Sequence, residues 1–260
     1  MLSWPLVFGL LCCAAVALAQ GGPPLRTDDP GTPGNANWEI NFAAAVERRA
    51  KEREYEAPLL DINYGLGERI QLKYELPYII RGEEGAPTRT GLGNSLFGVK
   101  WRFYQSKTHD VALATYPQME VNNPTHSADR GLVERGVRFL LPVEIAKNFG
   151  PVDVNIEAGH RFSQHAPGEW IAGVALGHEA SRRLELLGEL YGIRASGGGT
   201  HETTFDGGGR FKLGGPLLLL FMAGRSVHRA RDADPRFIGY LGIQFQLAHR
   251  HEQASACHSK

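Results

Sequence analysis

The chain of 260 residues carries 28 basic and 28 acidic side chains, so its formal net charge is zero. This balance excludes a global field that would attract nucleic acid or an acidic lipid surface. The length accommodates one large all-β domain or two ordinary domains. The 32 glycines suit a chain with many turns and closely packed strands.

The N-terminal twenty residues, MLSWPLVFGLLCCAAVALAQ, contain no charged side chain. The apolar run Leu6–Leu18 has the length of a signal-peptide core, and a small-x-small cleavage signal ends at Ala19. We predict a secretory signal peptide over residues 1–19, with an N-terminal membrane anchor as the alternative.

Cleavage there would remove Cys12 and Cys13 and leave Cys257, so the mature chain could form no intramolecular disulfide. No later stretch has 18 consecutive apolar residues, which excludes a transmembrane helix. If the chain crosses a membrane, it must therefore do so as a closed barrel, because only that form satisfies the backbone polar groups of strands in lipid.

Residues 20–36 are rich in Pro and Gly and predict an extended periplasmic lead-in. From Asn37 onward, apolar and polar side chains alternate, which is the period of a β-strand. In RIQLKYELPYII, for example, the oily positions face one way and Gln71, Lys73 and Glu75 face the other. We predict about twelve strands within residues 37–247. Three segments alternate less cleanly: Trp170–Glu179, Leu184–Arg194 and Leu217–Val227.

The connections between these strands alternate in length. Short ones (GLGE, QSKTH, KNFGP, EASR and GG) alternate with longer, more polar ones (ERRAKEREYE, RGEEGAPTRT, NNPTHSADRG, SQHAPGE, SGGGTHE and HRARDAD). Outer-membrane barrels have short periplasmic turns, long outer loops and an even number of strands. We predict an all-β fold: a single antiparallel up-and-down transmembrane β-barrel of about 12 strands whose oily face meets lipid.

Aromatic residues near the predicted strand ends fit the interfacial girdles of such a barrel: Trp38, Tyr64, Tyr78, Trp101, Trp170 and Phe237. In the alternative, a soluble barrel or sandwich, the oily face and these aromatics would form the core, and periodicity alone does not separate the two.

Three segments, RTDDPGTPGNANWEINFA, DINYGLGERIQLKYELPY and GLGNSLFGVKWRFY, resemble the opening of a bacterial outer-membrane family. It is catalogued as the MetA-pathway of phenol degradation family, or simply as "transporter". The resemblance is specific over about residues 26–120. It implies a barrel channel, in some members linked with uptake of aromatic or hydrophobic compounds. The closing strand also resembles the signal read by the barrel-assembly machinery.

If the barrel forms, the charged face of its strands lines the lumen. The predicted lining residues are Lys73, Glu75, Lys100, Arg102, Glu120, Arg138, Glu144, Asp153, Glu157, Arg161, Arg210 and Lys212. Such a ladder of mixed sign could select small polar or zwitterionic solutes. In the alternative, the opposite charges satisfy one another and plug the lumen.

Signatures of catalysis and of metal or cofactor binding are weak. No His and Ser share a strand face as a hydrolytic barrel requires, so no enzymatic activity is predicted. The tail over residues 248–260 contains His249, His251, Cys257 and His258, but their spacing matches no fixed metal site. We predict a disordered tail, no metal and no cofactor.

These observations predict a channel in the outer membrane of a Gram-negative bacterium, reached through the signal peptide, for passive uptake of small molecules. Its partners would be outer-membrane lipid, the barrel-assembly machinery and small-molecule solutes, with no nucleic acid. A closed-lumen structural or binding barrel in the same membrane, and a soluble periplasmic ligand-binding β-barrel, are the alternatives.

Overall fold

The computed structural model describes residues 22–198, 201–228 and 231–248. The predicted signal peptide and most of the predicted disordered tail lie outside these ranges. Fourteen β-segments follow in chain order: β1 Trp38–Arg48, β2 Glu52–Leu66, β3 Ile70–Glu83, β4 Arg89–Leu92, β5 Ser95–Ser106, β6 Val111–Thr115, β7 Gln118–Val121, β8 Arg138–Phe149, β9 Val152–Ser163, β10 Glu169–Glu179, β11 Leu184–Ala195, β12 His201–Gly214, β13 Leu217–Ser226 and β14 Phe237–Leu247. No helix in the described ranges is long and apolar enough to cross a membrane.

These segments make twelve barrel strands. β4 and β5 both pair with β3 and are two halves of one strand. β6 and β7 both lie between β5 and β8 and are two halves of another. β1 pairs antiparallel with β14 from Trp38↔Leu247 to Arg48↔Phe237, which closes the ring. The predicted fold, a closed antiparallel barrel of twelve strands, is confirmed.

The outside of the barrel is apolar. Leu241, Trp101 and Val143 are 58%, 53% and 51% exposed, and their neighbours on the charged side, such as Glu144 and Gln244, are buried within the ring. A soluble barrel has the reverse arrangement, with its apolar side chains inside. The oily face of the strands therefore forms the lipid-facing belt of a membrane barrel.

The two ends of the barrel differ. One end, here called the turn end, has the connections 67–69, 107–110, 150–151, 180–183 and 215–216. The first strand, β1, begins at this end and the last strand, β14, ends there. The other, the loop end, has the connections 49–51, 84–88, 122–137, 164–168, 196–200 and 227–236. The predicted alternation of length holds except at 49–51. Most of the predicted loop ERRAKEREYE is strand, because β1 and β2 continue pairing up to Arg48↔Arg53.

Aromatic side chains mark both ends, as predicted for interfacial girdles. At the turn end, the Trp38 and Tyr64 rings lie 4.6 Å apart, centroid to centroid. At the loop end, the Trp170 and His160 rings lie 4.6 Å apart. Trp170 is 58% exposed on the outside of the barrel.

The longest connection, residues 122–137, folds back onto the loop end. Arg81 and Arg89 both donate hydrogen bonds to the Gly131 carbonyl, at 3.0 and 3.3 Å. Within the connection, hydrogen bonds from His126 and Arg135 hold the pKa of the Asp129 carboxyl below its usual range. This loop is therefore an ordered part of the rim.

The N-terminal segment, residues 22–37, differs most from the prediction. The Pro- and Gly-rich stretch was expected to extend into the periplasm. Instead it enters the barrel at the turn end and lies inside the lumen, where Leu25, Thr27 and Asp29 are buried. The cause is charge: the lumen wall carries buried ionic groups that need partners, and this segment supplies them.

The orientation of the apolar face predicts the outcome of a charge substitution. Leu241 lies in the middle of β14, opposite Ala44 of β1 and Phe221 of β13. An Arg side chain near the bilayer midplane costs a transmembrane barrel about 2–4 kcal/mol. Leu241→Arg should lower the free energy of unfolding in lipid vesicles by that amount, measured by urea titration of tryptophan fluorescence.

Leu241→Ala is the matched control and should cost much less than the Arg variant. Equal stability of Leu241→Arg and the parent in vesicles would mean that this face meets water, which would contradict the membrane orientation.

Candidate functional site

A buried lysine at mid-lumen holds the N-terminal segment. The Lys100 side chain, on β5, is 2% exposed, and its Nζ lies 2.5 Å from Asp28 Oδ1. It also donates to the Asp29 carbonyl and lies 3.7 Å from Glu144 Oε2 on β8. The ammonium further sits 4.6 Å from the centre of the Tyr116 ring. A charge this deeply buried is tolerable only with such a complete set of partners.

Two wall carboxylates bind the backbone of the segment. Glu189 on β11 accepts the N–H groups of Arg26, at 3.2 Å, and of Thr27. Glu157 on β9 accepts the N–H of Asp28 at 3.0 Å. Hydrogen bonds from backbone N–H groups to carboxylates are charge-assisted and so fix the path of consecutive residues against the wall.

Arginines clamp the segment along its length. Its own Arg26 donates to Thr204 Oγ1 at 2.5 Å and lies 3.6 Å from Asp206 Oδ2, both on β12. From the wall, Arg210 donates to the Pro23 carbonyl at 3.0 Å and is paired with Glu185 at 3.2 Å. The segment is thus anchored on β12 as well as on β5.

Two wall glycines allow the segment to approach closely. A Cβ at Gly65 would lie 1.8 Å from the Gly34 carbonyl oxygen, and one at Gly173 would lie 2.1 Å from Thr27 Oγ1. A side chain at Gly65 would collide with the backbone of the segment, and one at Gly173 would collide with the Thr27 side chain. Gly65 is therefore needed for the segment to lie against the wall, and Gly173 is needed as long as residue 27 is Thr.

The segment lies between two cavities. On the loop-end side is a cavity of about 400 Å³, here called the vestibule. Leu25 and Asp28 of the segment are among its lining residues. On the turn-end side is a cavity of about 500 Å³, lined by Asp29, Pro30 and Arg102. Either could admit a small molecule, and the segment lies between them.

The predicted lining residues stand on the inner face of the wall. Lys100, Glu144, Glu157 and Arg210 are buried, and Arg102 is 9% exposed. Pairs form within the wall as well as with the segment: Lys73–Glu75 at 2.9 Å, Arg138–Glu120 at 2.5 Å and Arg161–Glu169 at 2.8 Å. Asp153 lines the turn-end cavity. Lys212 is exposed near the turn end of β12, opposite the buried Leu218. Whether these residues act on a solute stays a prediction.

The predicted set of lining residues omits a polar network beside this ladder. Asp61 on β2 accepts from Asn41 and Asn63, each at 3.0 Å. Gln71 donates to Asn63 at 2.8 Å and to the Tyr116 hydroxyl at 3.1 Å. Four of these side chains occupy polar positions of alternating strands, so their period could have identified them.

Apolar residues inside the lumen were also missed. Leu25, Ala175, Met222 and Ile238 form one buried cluster. Leu140, Ile171 and Tyr191 form a second. Because apolar residues occupy both faces of the strands there, alternation could not show which ones face inward.

Comparison with known proteins identifies the fold. No family model and no curated protein matches the chain. Among solved structures it is similar to the COG4313 outer membrane channel from Pseudomonas putida F1, with a TM-score of 0.66 and 12% identity, covering 88% of this chain and all of that one. It is also similar to the NanC porin, with a TM-score of 0.60 and 7% identity, over 80% of this chain and all of that one.

A third similar structure is the KdgM porin in complex with disordered oligogalacturonate, with a TM-score of 0.52 and 8% identity, covering 79% of this chain and 98% of that one. At these identities the likeness establishes an outer-membrane type of barrel and nothing finer. Membership of the phenol-degradation family stays a prediction.

The Lys100 cluster predicts how the segment can be released. Lys100→Met would leave Asp28 and Glu144 buried without their cation. Breaking a buried pair costs about 3 kcal/mol or more, so the segment should leave the wall and expose the Arg26–Thr27 bond. Cleavage there by trypsin, followed by mass spectrometry of the folded protein, should be roughly a hundredfold faster.

Lys107→Met is the matched control, because Lys107 is exposed in the turn 107–110. It should leave the cleavage rate unchanged. If Lys100→Met also leaves the rate unchanged, Lys100 does not hold the segment.

Proposed function

We propose that the chain is an outer-membrane channel for passive passage of small solutes, closed at rest by its own N-terminal segment. The observation that carries the proposal is the position of this segment between two cavities, one toward each end of the barrel. A barrel that served only as a rigid anchor would need neither cavity.

The wall supports this function even with the segment removed. Charges of both signs remain on it, with partners of their own in Lys73–Asp61, Arg138–Glu120 and Arg210–Glu185. These side chains would therefore keep a wetted, polar bore open rather than collapse it. The segment is attached to four strands, through Lys100, Glu157, Glu189, Thr204 and Arg210, so opening requires these contacts to break together and should be rare.

Similar structures support the proposal by analogy. Two of them are porins and one is an outer membrane channel. The resemblance to the phenol-degradation family adds aromatic or hydrophobic compounds as candidate solutes. Targeting by the signal peptide over residues 1–19, insertion by the barrel-assembly machinery, and lack of enzymatic activity belong to the same proposal.

The direct test is current across a planar bilayer. The mature chain, Gln20 to Lys260, should give rare or small openings, because the segment blocks the bore. A variant lacking residues 22–33 should give steady and larger conductance steps. Arg102→Ala in that background should change the step size, since Arg102 lines the turn-end cavity.

Heat-modifiable gel migration is the control for folding of each variant. A deletion variant that is folded and carries no current would reject the channel and support the alternative, a closed-lumen structural barrel.

A further inference from the structure

The vestibule has two chemically different walls. On the side of β1, β2 and β3 it is lined by the carboxylates Glu47, Glu54, Glu56, Asp61 and Glu75, with Lys73 as the cation on those strands. On the other side it is lined by apolar side chains of β8, β10, β13 and β14, namely Leu140, Ile171, Met222 and Ile238. The remaining charges, Arg26 and Asp28 of the segment with Glu157 and Arg161 of β9, lie away from the boundary between β2 and β14 and leave the carboxylates in excess. An occupant that suits both walls must be amphipathic.

Strand register places the two walls next to each other. Ala45 of β1 is opposite Glu56 of β2 on one side and Tyr240 of β14 on the other. Glu47 is opposite Glu54 and Ile238 in the same way. Neighbouring strands lie about 4.8 Å apart, so the acidic and apolar rows are separated by roughly 10 Å. That span matches a small molecule with its charge at one end.

Most carboxylates of the acidic wall already have a cation. Glu54 is paired with Arg81, Glu47 with Arg49 at 2.5 Å, and Lys73 bridges Asp61 and Glu75. Glu56 is different. Among the residues that the structure describes, it has no ion pair and no hydrogen bond through its side chain. A partly buried carboxylate without a partner is stabilised either by taking up a proton or by binding a cation, so an ammonium that enters the vestibule competes with the proton for Glu56.

The strand β14 of the apolar wall also contributes a polar group, the hydroxyl of Tyr240. The Tyr240 hydroxyl is buried and has no hydrogen-bond partner in the described part of the chain. The ring of Tyr240 also lines the vestibule, and the face of an aromatic ring attracts a cation. Glu56 and Tyr240 therefore make the boundary between the two walls the favoured place for a positive charge.

We infer that the vestibule binds organic cations with an apolar body, such as protonated amines that carry an aromatic or aliphatic group. The ammonium lies against Glu56 and the body against Met222 and Ile238. This inference rests on the proposed function in one respect, since it names the solute class that such a channel would receive from the loop end. Binding itself does not require an open pore.

Three probes of nearly the same shape test the charge requirement: phenethylamine, phenethyl alcohol and phenylacetate. At neutral pH the amine is protonated, the alcohol neutral and the acid an anion. Their affinities are measured by calorimetry with the folded mature chain in detergent, after subtraction of a detergent-only titration. The amine should bind roughly tenfold more tightly than the alcohol, and phenylacetate more weakly than either.

Two variants locate the site. Glu56→Gln should reduce the affinity for the amine to that for the alcohol and leave the alcohol unchanged. Ile238→Thr should weaken both. Glu84→Gln is the matched control, because Glu84 is exposed in the connection 84–88 outside the vestibule, and it should leave all three affinities unchanged.

Alcohol binding as tight as amine binding in the parent protein would overturn the inference, and so would preference for phenylacetate. Because this comparison uses the parent chain, it tests the preference for cations even if the Glu56→Gln variant fails to fold. Amine binding without bilayer current would reject the channel and keep the site. Current without amine preference would keep the channel and reject the site.

Discussion

The structure depends on one electrostatic constraint: charges inside a membrane barrel must find partners inside the barrel. Lys100 is the clearest case, with an almost fully buried ammonium in the middle of the lumen. Its nearest wall carboxylate, Glu144, is 3.7 Å away and shares it with Asp28 of the N-terminal segment. The wall alone therefore leaves this cluster incomplete, and the segment completes it.

The same constraint gives the segment its shape. Three consecutive N–H groups, of Arg26, Thr27 and Asp28, are held by Glu189 and Glu157, so the backbone runs against one side of the wall. The vestibule lies on the loop-end side of these contacts. A segment that lies across the lumen at the base of the vestibule can close a pore and still admit a ligand from the loop end.

How much of this the sequence could predict depends on the range of the interactions. The strands and their lipid-facing side followed from alternation, because lipid on one face and polar lumen on the other impose a period of two. The position of the N-terminal segment inside the lumen could not be predicted from alternation, because its partners are distant along the chain. Asp28 and Lys100, for example, are 72 positions apart. A Pro- and Gly-rich stretch without a period carries no signal of such contacts.

The acidic wall of the vestibule could not be predicted from alternation either, because β2 contains an irregularity. The pairing of β2 with β3 shifts between Glu56 and Leu59, so inward positions are even-numbered before the shift and odd-numbered after it. A strict alternation through Ala57 and Pro58 would put Glu56 and Asp61 on opposite faces. Only the structure places both on the inner wall.

The most direct test of the account is a disulfide that locks the segment to the wall. A Cβ at Gly173 would lie 3.1 Å from Thr27 Cβ, slightly closer than the roughly 3.5–4.5 Å of disulfides, so a small outward shift of the segment suffices, and Thr27→Cys removes the Oγ1 that would otherwise collide. Thr27→Cys and Gly173→Cys, with Cys257→Ser, should form this bond under oxidation. Bilayer current should then be absent in the oxidised protein and appear on reduction. Failure of the bond to form in folded protein, or equal current in both states, would contradict closure of the lumen by the N-terminal segment.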